Sequence, residues 1–292
     1  MSRWLKKGLQ SAKGHLADAT QATQHNVQKF AQANAASSPL VEGYYEARAH
    51  ERFNDGRYEA IRRLGTGQYS HVWLADDLHR NSENSQVALK LLTTDCYGGD
   101  HDIFEVEILN RIAEQQRLLS NAARNSHVIG SLDSFRLRGP AGEHRCIVMP
   151  VLGSSLGQQV HRFPNRRIPV KTTKEIVKQL LQGMASGESA DSVTPTIDST
   201  IGKFTDLSEA SWVDKHLSDR IQPEHLRAPE VFLGAPWGPP CDIWSLGCLI
   251  VEFIQGFVLF DGKASQRGTW TSEDDHLAQH MEVLGPMPSE LL

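Results

Sequence analysis

Residues 64–90, LGTGQYSHVWLADDLHRNSENSQVALK, constrain this chain more than any other stretch. Gly65 and Gly67 fall between two runs that read as strands, 58–64 and 71–76. Val72 and Leu74 alternate with Trp73 and Ala75, which is the two-residue period of a strand. The glycines therefore belong to a hairpin tip, where the missing Cβ lets backbone amides approach a ligand closely. A third strand, 87–91, follows the polar turn 81–85, and its alternation puts Ala88 and Lys90 on one face. A small residue and a cation then look into the same cleft.

Two other glycine motifs are excluded. A Walker loop needs Gly-Lys-Ser/Thr opening a helix, whereas Gly67 is followed by Gln68-Tyr69 and a strand. A dinucleotide fingerprint also needs a helix after its glycines, and Val72-Trp73-Leu74 argues against one. The alternative of an ordinary hairpin with a surface lysine would hold for the glycines alone. Together with Val87-Ala88-Leu89-Lys90, the pattern resembles the protein kinases: a glycine-rich hairpin over ATP, then a lysine on the third strand.

Composition sets outer bounds. The 292 residues, 39% hydrophobic and 22% charged, suit one large or two small domains with a real core. A net charge of −5 offers no basic footprint for nucleic acid, so no direct nucleic-acid partner is expected. No run approaches the roughly 18 apolar residues of a membrane helix, and no membrane partner is expected. Cys96, Cys146, Cys241 and Cys248 lack paired spacing and read as free buried thiols of a reducing compartment, cytoplasmic or nuclear. Residues 1–42 are rich in Ala, Gln, Ser and Asn. Through residue 40 they set Arg3, Lys6, Lys7, Lys13 and Lys29 against one acid, Asp18. They read as a disordered or weakly helical tail, with a mitochondrial transit peptide as the alternative.

From Gly43 the resemblance narrows. Gly43-Tyr44, then Phe53-Asn54-Asp55-Gly56-Arg57-Tyr58, then Leu64-Gly65-x-Gly67-x-x-Ser70-x-Val72-Trp73-Leu74-Ala75 resemble the start of serine/arginine-protein kinases and their fungal relatives. In that family a serine replaces the third glycine, and Ser70 fits. The resemblance implies that Leu64, Gly65, Gly67, Ser70, Val72 and Ala88 line the ATP site. Residues 102–114 carry helical periodicity that sets Glu105 on the face of Ile108, Leu109 and Ile112, with Glu107 turned outward. A carboxylate on a buried face needs a partner. Lys90 is that partner in the kinase scheme, which makes Lys90 and Glu105 the expected catalytic pair.

Strands are expected over 128–137 and 145–151. The second, with Cys146-Ile147-Val148-Met149-Pro150-Val151-Leu152-Gly153, resembles the kinase hinge. By that resemblance Met149 closes the adenine pocket, and the Pro150 carbonyl and Leu152 amide bond adenine. Residues 172–184 read as a helix capped by Thr172 or Thr173, with Ile176, Val177, Leu180, Leu181 and Met184 as its apolar stripe.

There the family pattern breaks. A segment of the type His-x-Asp-Leu-Lys-Pro-x-Asn should follow, and this chain instead reads ASGESADSVTPTIDST from Ala185 to Thr200. Asp191 and Asp198 are its only aspartates. Neither has a lysine two residues on or an asparagine five residues on. Residues 185–203 read as an irregular linker. The pattern resumes at Lys203-Phe204-Thr205-Asp206-Leu207-Ser208, where the resemblance makes Asp206 the magnesium ligand and Ser208 the residue in place of glycine. If that position requires φ > 0, serine there costs about 1 kcal/mol. Ala228-Pro229-Glu230 and a helix over 242–253 follow, the helix apolar on nearly every side and hence expected to be buried, with Gly256 as its cap. The resemblance also implies that Asp242 has lost its usual catalytic-loop partner and that the lower lobe is cut short.

The expected fold is α+β and bilobal. A five-stranded antiparallel N-lobe with one helix (43–152) precedes an incomplete, mostly helical C-lobe (153–292). The expected function is a serine/threonine-kinase-family chain that binds ATP and Mg2+, impaired in transfer because the Asp/Lys/Asn segment is missing. An active kinase for Arg/Ser-rich protein substrates and a non-catalytic scaffold or mis-spliced product are the alternatives.

Overall fold

The computed structural model describes residues 43–80, 85–97, 103–118, 127–184, 203 and 205–289. The tail 1–42 and nearly all of the expected linker 185–203 lie outside the described residues.

Six strands form one antiparallel sheet in the order β1-β2-β3-β4-β6-β5. They are β1 (Arg52–Phe53), β2 (Tyr58–Thr66), β3 (Ser70–Asp77), β4 (Gln86–Leu92), β5 (Asp133–Gly139) and β6 (Gly142–Pro150). The expectation of five strands misses β1, which is only two residues long and pairs Phe53 with Tyr58. Its turn is made by Asn54, Asp55 and Gly56, all at positive φ. These are the residue types that enter the left-handed region at least cost.

Alternation along β4 sorts its side chains onto two faces. Ala88 and Leu92 pack with the helix α1 (Glu105–Leu118), while Val87, Leu89 and Leu91 pack with Tyr58, Ala60, Ala75, Cys146 and Val148. Strand β5 begins at Asp133, not at the expected residue 128, because the preceding residues are taken by α1. Gln116 Nε2 donates to the Val128 carbonyl (3.0 Å), and the Ser131 hydroxyl donates to Asn110 Oδ1 (2.7 Å). Asp133 then anchors the sheet edge, its Oδ2 accepting from Arg57 Nη1 (3.0 Å) and the Tyr58 hydroxyl (2.8 Å). Helix α1 starts at Glu105, later than the expected residue 102. The Tyr97 hydroxyl oxygen accepts from the Val106 amide (2.9 Å), satisfying a donor of its first turn.

After β6 the chain is mostly helical: α2 (Leu156–Val160), α3 (Val170–Met184), α4 (Pro229–Phe232), α5 (Pro240–Gln255) and α6 (Ser272–Leu284). Helix α3 starts two residues before the expected cap. Thr173 sits within the helix and back-bonds to the Pro169 carbonyl, so neither Thr172 nor Thr173 caps it. Its stripe is buried at Ile176 and Leu180, but Leu181 is exposed. Helix α5 departs from expectation in the same way. Cys241, Leu246, Cys248, Leu249 and Phe253 are buried, whereas Ile243 is 54% exposed. An apolar sequence on every side therefore overstates the burial of this helix. Gly256 ends it in the left-handed conformation, φ 76°, as expected. Asp242, expected to lack its usual catalytic-loop partner, is not without an interaction of its own. One core runs from Ala88 and α1 through Leu156 and Leu180 to Leu246 and Phe253, joining the sheet to the helices. All four cysteines are buried and free.

Candidate active site

The cleft is built where β4 meets α1. Lys90 faces α1 by strand alternation, and Glu105 is the first residue of that helix on its buried face. Lys90 Nζ donates to Glu105 Oε1 at 2.6 Å and to Asp206 Oδ1 at 2.7 Å. Glu105 is fully buried, and its Oε1 also accepts from the Leu207 amide (3.2 Å). Its Oε2 has no hydrogen-bond partner among the described residues. Glu107 is exposed, as its place on the helix wheel requires.

Charge is distributed unevenly among the three groups. Burial works against the Lys90 ammonium, but the two carboxylates outweigh it and hold its pKa above the usual lysine value. Burial pushes the Glu105 carboxyl up, against the pull of Lys90. Burial acts in the same sense on Asp206, yet Lys90 and the Ser208 hydroxyl hold Asp206 below the usual carboxylate range. Two carboxylates sharing one ammonium separate in this way, with the half-exposed one keeping the firmer negative charge.

Asp206 itself sits at φ 65°. Ser208, which stands where the resemblance has glycine, is not among the residues in that region. The left-handed residue is an aspartate, which tolerates that conformation better than most, and the Ser208 hydroxyl donates back to Asp206 Oδ1 (3.0 Å).

The other sequence-predicted residues lie on β2, β3, β4 and β6 or just beyond them. Gly65 and Thr66 close β2, and Gly67 donates its amide to the Ser70 carbonyl (2.8 Å) across the hairpin tip. A Cβ built on Gly65 would meet nothing within 4 Å, so the space beside it is open. Ser70 is buried at the start of β3, Leu64 is exposed, and Val72 is half-buried against the core. Ala88 pairs in register with Met149, and Val87 with Pro150. Met149 is buried, Pro150 is exposed at the end of β6, and Leu152 is half-buried against the same core.

Three features of the neighbourhood were not anticipated. The Tyr44 hydroxyl reaches the carbonyls of Gly67 (2.8 Å) and Gln68 (2.5 Å). Gly43-Tyr44 stood out in the sequence only as part of a resemblance, with no role attached. Further off, the Gln222 side chain donates to the Cys241 carbonyl and the Ser245 hydroxyl oxygen (both 2.9 Å) and accepts from the Ala228 amide (2.9 Å). Arg227 donates to the Ile221 (2.8 Å) and Gln222 (2.7 Å) carbonyls. This buried network fastens the segment before α4 to the start of α5.

No family model matches the chain. Individual proteins do. It is 28% identical over 315 residues to the serine/threonine-protein kinase SRPK of Physarum polycephalum, covering 86% of this chain and 72% of that protein. It is 24% identical over 386 residues to protein kinase dsk1 of Schizosaccharomyces pombe, covering 85% and 70%. A shorter match, 49% identical over 90 residues, links it to the serine/threonine-protein kinase SKY1 of Saccharomyces cerevisiae, covering 31% and 12%. The antiparallel sheet, the helix packed on it and the helical remainder among the described residues are consistent with a protein-kinase-like fold, and these relatives support a serine/arginine-protein-kinase-like protein kinase.

Proposed function

We propose that this chain binds Mg-ATP in the cleft between the glycine hairpin and Lys90, and that its capacity for phosphoryl transfer is strongly reduced. The observation that carries the first half is the placement of Lys90 Nζ between Glu105 and Asp206. A buried ammonium held charged, beside a hairpin whose glycines leave room for backbone approach, suits the α- and β-phosphates of a nucleotide. Ala88, Val72, Leu152 and Met149 would flank the base with apolar surface. The residues also fit a magnesium ion that arrives with the nucleotide. Such an ion is commonly held by one or two carboxylates together with phosphate oxygens, and Asp206 supplies one. Among the described residues there is no cluster of three or more His, Cys, Asp or Glu side chains that would hold a metal by itself.

The second half rests on sequence. Between Met184 and Thr205 no aspartate has the lysine and asparagine that the kinase segment places after it. Loss of a general base alone removes about 10²–10⁴-fold in rate. Loss of the charge-stabilising lysine and a metal ligand with it cuts deeper, because phosphoryl transfer depends on positioning and charge. Any acceptor would be a protein, and an Arg/Ser-rich peptide is the first to try.

Titration calorimetry with ATP, with and without Mg2+, tests the binding half. Transfer of labelled γ-phosphate to an Arg/Ser-rich peptide tests the other. The reading predicts saturable, Mg2+-enhanced binding with turnover far below the ordinary range of 1–100 s⁻¹ for kinases. Turnover within that range would instead establish an active kinase.

A further inference from the structure

The segment leading into the sheet lies against the hairpin on the side away from Lys90. His71 pairs with Leu91 in register, and Val72 with Lys90, so His71 belongs to the opposite face of the sheet from Lys90. The Tyr44 ring stacks on His71, with ring centroids 4.5 Å apart and planes at 23°. From there its hydroxyl reaches two successive carbonyls at the hairpin tip, those of Gly67 and Gln68. The tip is also tied at its base, where the Thr93 amide donates to the Tyr69 carbonyl (2.9 Å). Gly43 is fixed in turn by the Thr94 amide, which donates to its carbonyl (3.1 Å). Tyr44 is thus braced at both sides.

A trans peptide points its C=O and the following N–H in opposite directions, and the described chain has no cis peptide. Carbonyls of Gly67 and Gln68 drawn toward Tyr44 therefore send the amides of Gln68 and Tyr69 the other way, to the side of Lys90. We propose that Tyr44 is a positioning residue for phosphate binding: by holding these two carbonyls on the outer face, it presents the hairpin amides to the anionic groups of a nucleotide. The inference rests on the ATP-site reading above and adds to it a residue outside the cleft. One hydroxyl serves two carbonyls.

The test compares the full chain with Tyr44→Phe, which keeps the ring on His71 and removes only the hydroxyl. Two readouts are used: hydrogen exchange of amides 65–70 without nucleotide, and calorimetric affinity for Mg-ATP beside adenosine. The proposal expects faster exchange at 67–70 in the variant, with an unchanged melting temperature. It also expects Mg-ATP affinity to fall about 2–10-fold, the range of one lost hydrogen bond, while adenosine affinity stays the same. Equal loss for adenosine and Mg-ATP, or unchanged exchange at 67–70, overturns it. Should the unmodified chain bind no Mg-ATP, the ATP-site reading fails. The phosphate role of Tyr44 fails with it, and the exchange comparison still reports whether Tyr44 holds the tip.

Discussion

Lys90 and Asp206 stand 116 residues apart in sequence and 2.7 Å apart in space, Nζ to Oδ1, with Glu105 on the other side of the same ammonium. Breaking a buried ion pair by removing one partner costs about 3–5 kcal/mol, because the other charge is left buried and uncompensated. Lys90→Ala is therefore expected to lower stability by that order in urea unfolding, since Glu105 is fully buried. Glu105→Gln should cost less, as an amide oxygen can still accept from Leu207. Equal midpoints for Lys90→Ala and the unmodified chain would show that the cluster is not formed in solution.

Gly256 caps α5 at φ 76°, and a Cβ built there would lie 2.4 Å from the Asn165 carbonyl oxygen. Gly234 has a similar backbone, φ 67°, with nothing within 4 Å of its virtual Cβ. Gly234→Ala is expected to cost about 1–2 kcal/mol, the left-handed term alone. Gly256→Ala should cost clearly more, because the obstacle is backbone. Thermal melts of the two variants check the difference, and equal losses would contradict the close approach.

Gln222 satisfies three groups at once across the joint between α4 and α5. Each buried polar group left unpaired costs about 1–3 kcal/mol. Gln222→Ala is expected to destabilise by at least that amount and to expose residues 222–230 to limited proteolysis. Gln222→Glu keeps an acceptor for Ala228 but loses both donors, so it should fall between. A proteolytic pattern identical to the unmodified chain would argue against this joint.

His276 and His280 are buried among Phe232, Trp244 and Phe260. Both His280 nitrogens and His276 Nε2 lack hydrogen-bond partners among the described residues. Burial lowers both pKa values to about 4, with Arg227 adding to the effect at His276 and His276 at His280. Glu224 and Asp261 pull His276 the other way, more weakly. The folded state thus holds both neutral, while the unfolded chain takes up two protons below its ordinary histidine value of 6.5. The contribution of these two histidines is complete above 6.5 and is lost as pH drops toward 4, by up to about 2.7 kcal/mol per pH unit for two protons. Carboxylates with lowered values, such as Asp77 and Asp261, titrate below that window. His280→Phe should flatten the slope in urea midpoints between pH 6.5 and 4. An unchanged slope would mean that the pair is solvated.

Periodicity made much of this fold legible. Strand alternation in β4 set Lys90 on one face with Ala88, and helical spacing set Glu105 on the face of Ile108, Leu109 and Ile112, while the pairing of the two came from the resemblance. Asp206 was different: the resemblance made it a magnesium ligand, and its bond to Lys90 was not foreseen, since no local rule joins residues so far apart. The two-residue β1 is too short to show a period. Where β5 begins depends on Gln116 and Ser131 bonding across to α1, which no window along the sequence contains. Whether the position of Ser208 needs positive φ was left open by the sequence, and the turn places the left-handed residue at Asp206 instead. Tyr44 could not have been read either, because a single hydroxyl acquires its role only once His71 has set the face it stacks on.

The Leu207 amide on Glu105 has a mechanical consequence. Among the described residues the backbone passes from the sheet to the helical half once, between Pro150 at the end of β6 and Leu156 at the start of α2. Across the cleft from that crossing, Leu207 and Asp206 grip Glu105 and Lys90 respectively. A hinge at residues 151–155 would pull directly on those two bonds. Opening would part Asp206 from Lys90 and Leu207 from Glu105 together, leaving the ammonium held by Glu105 alone.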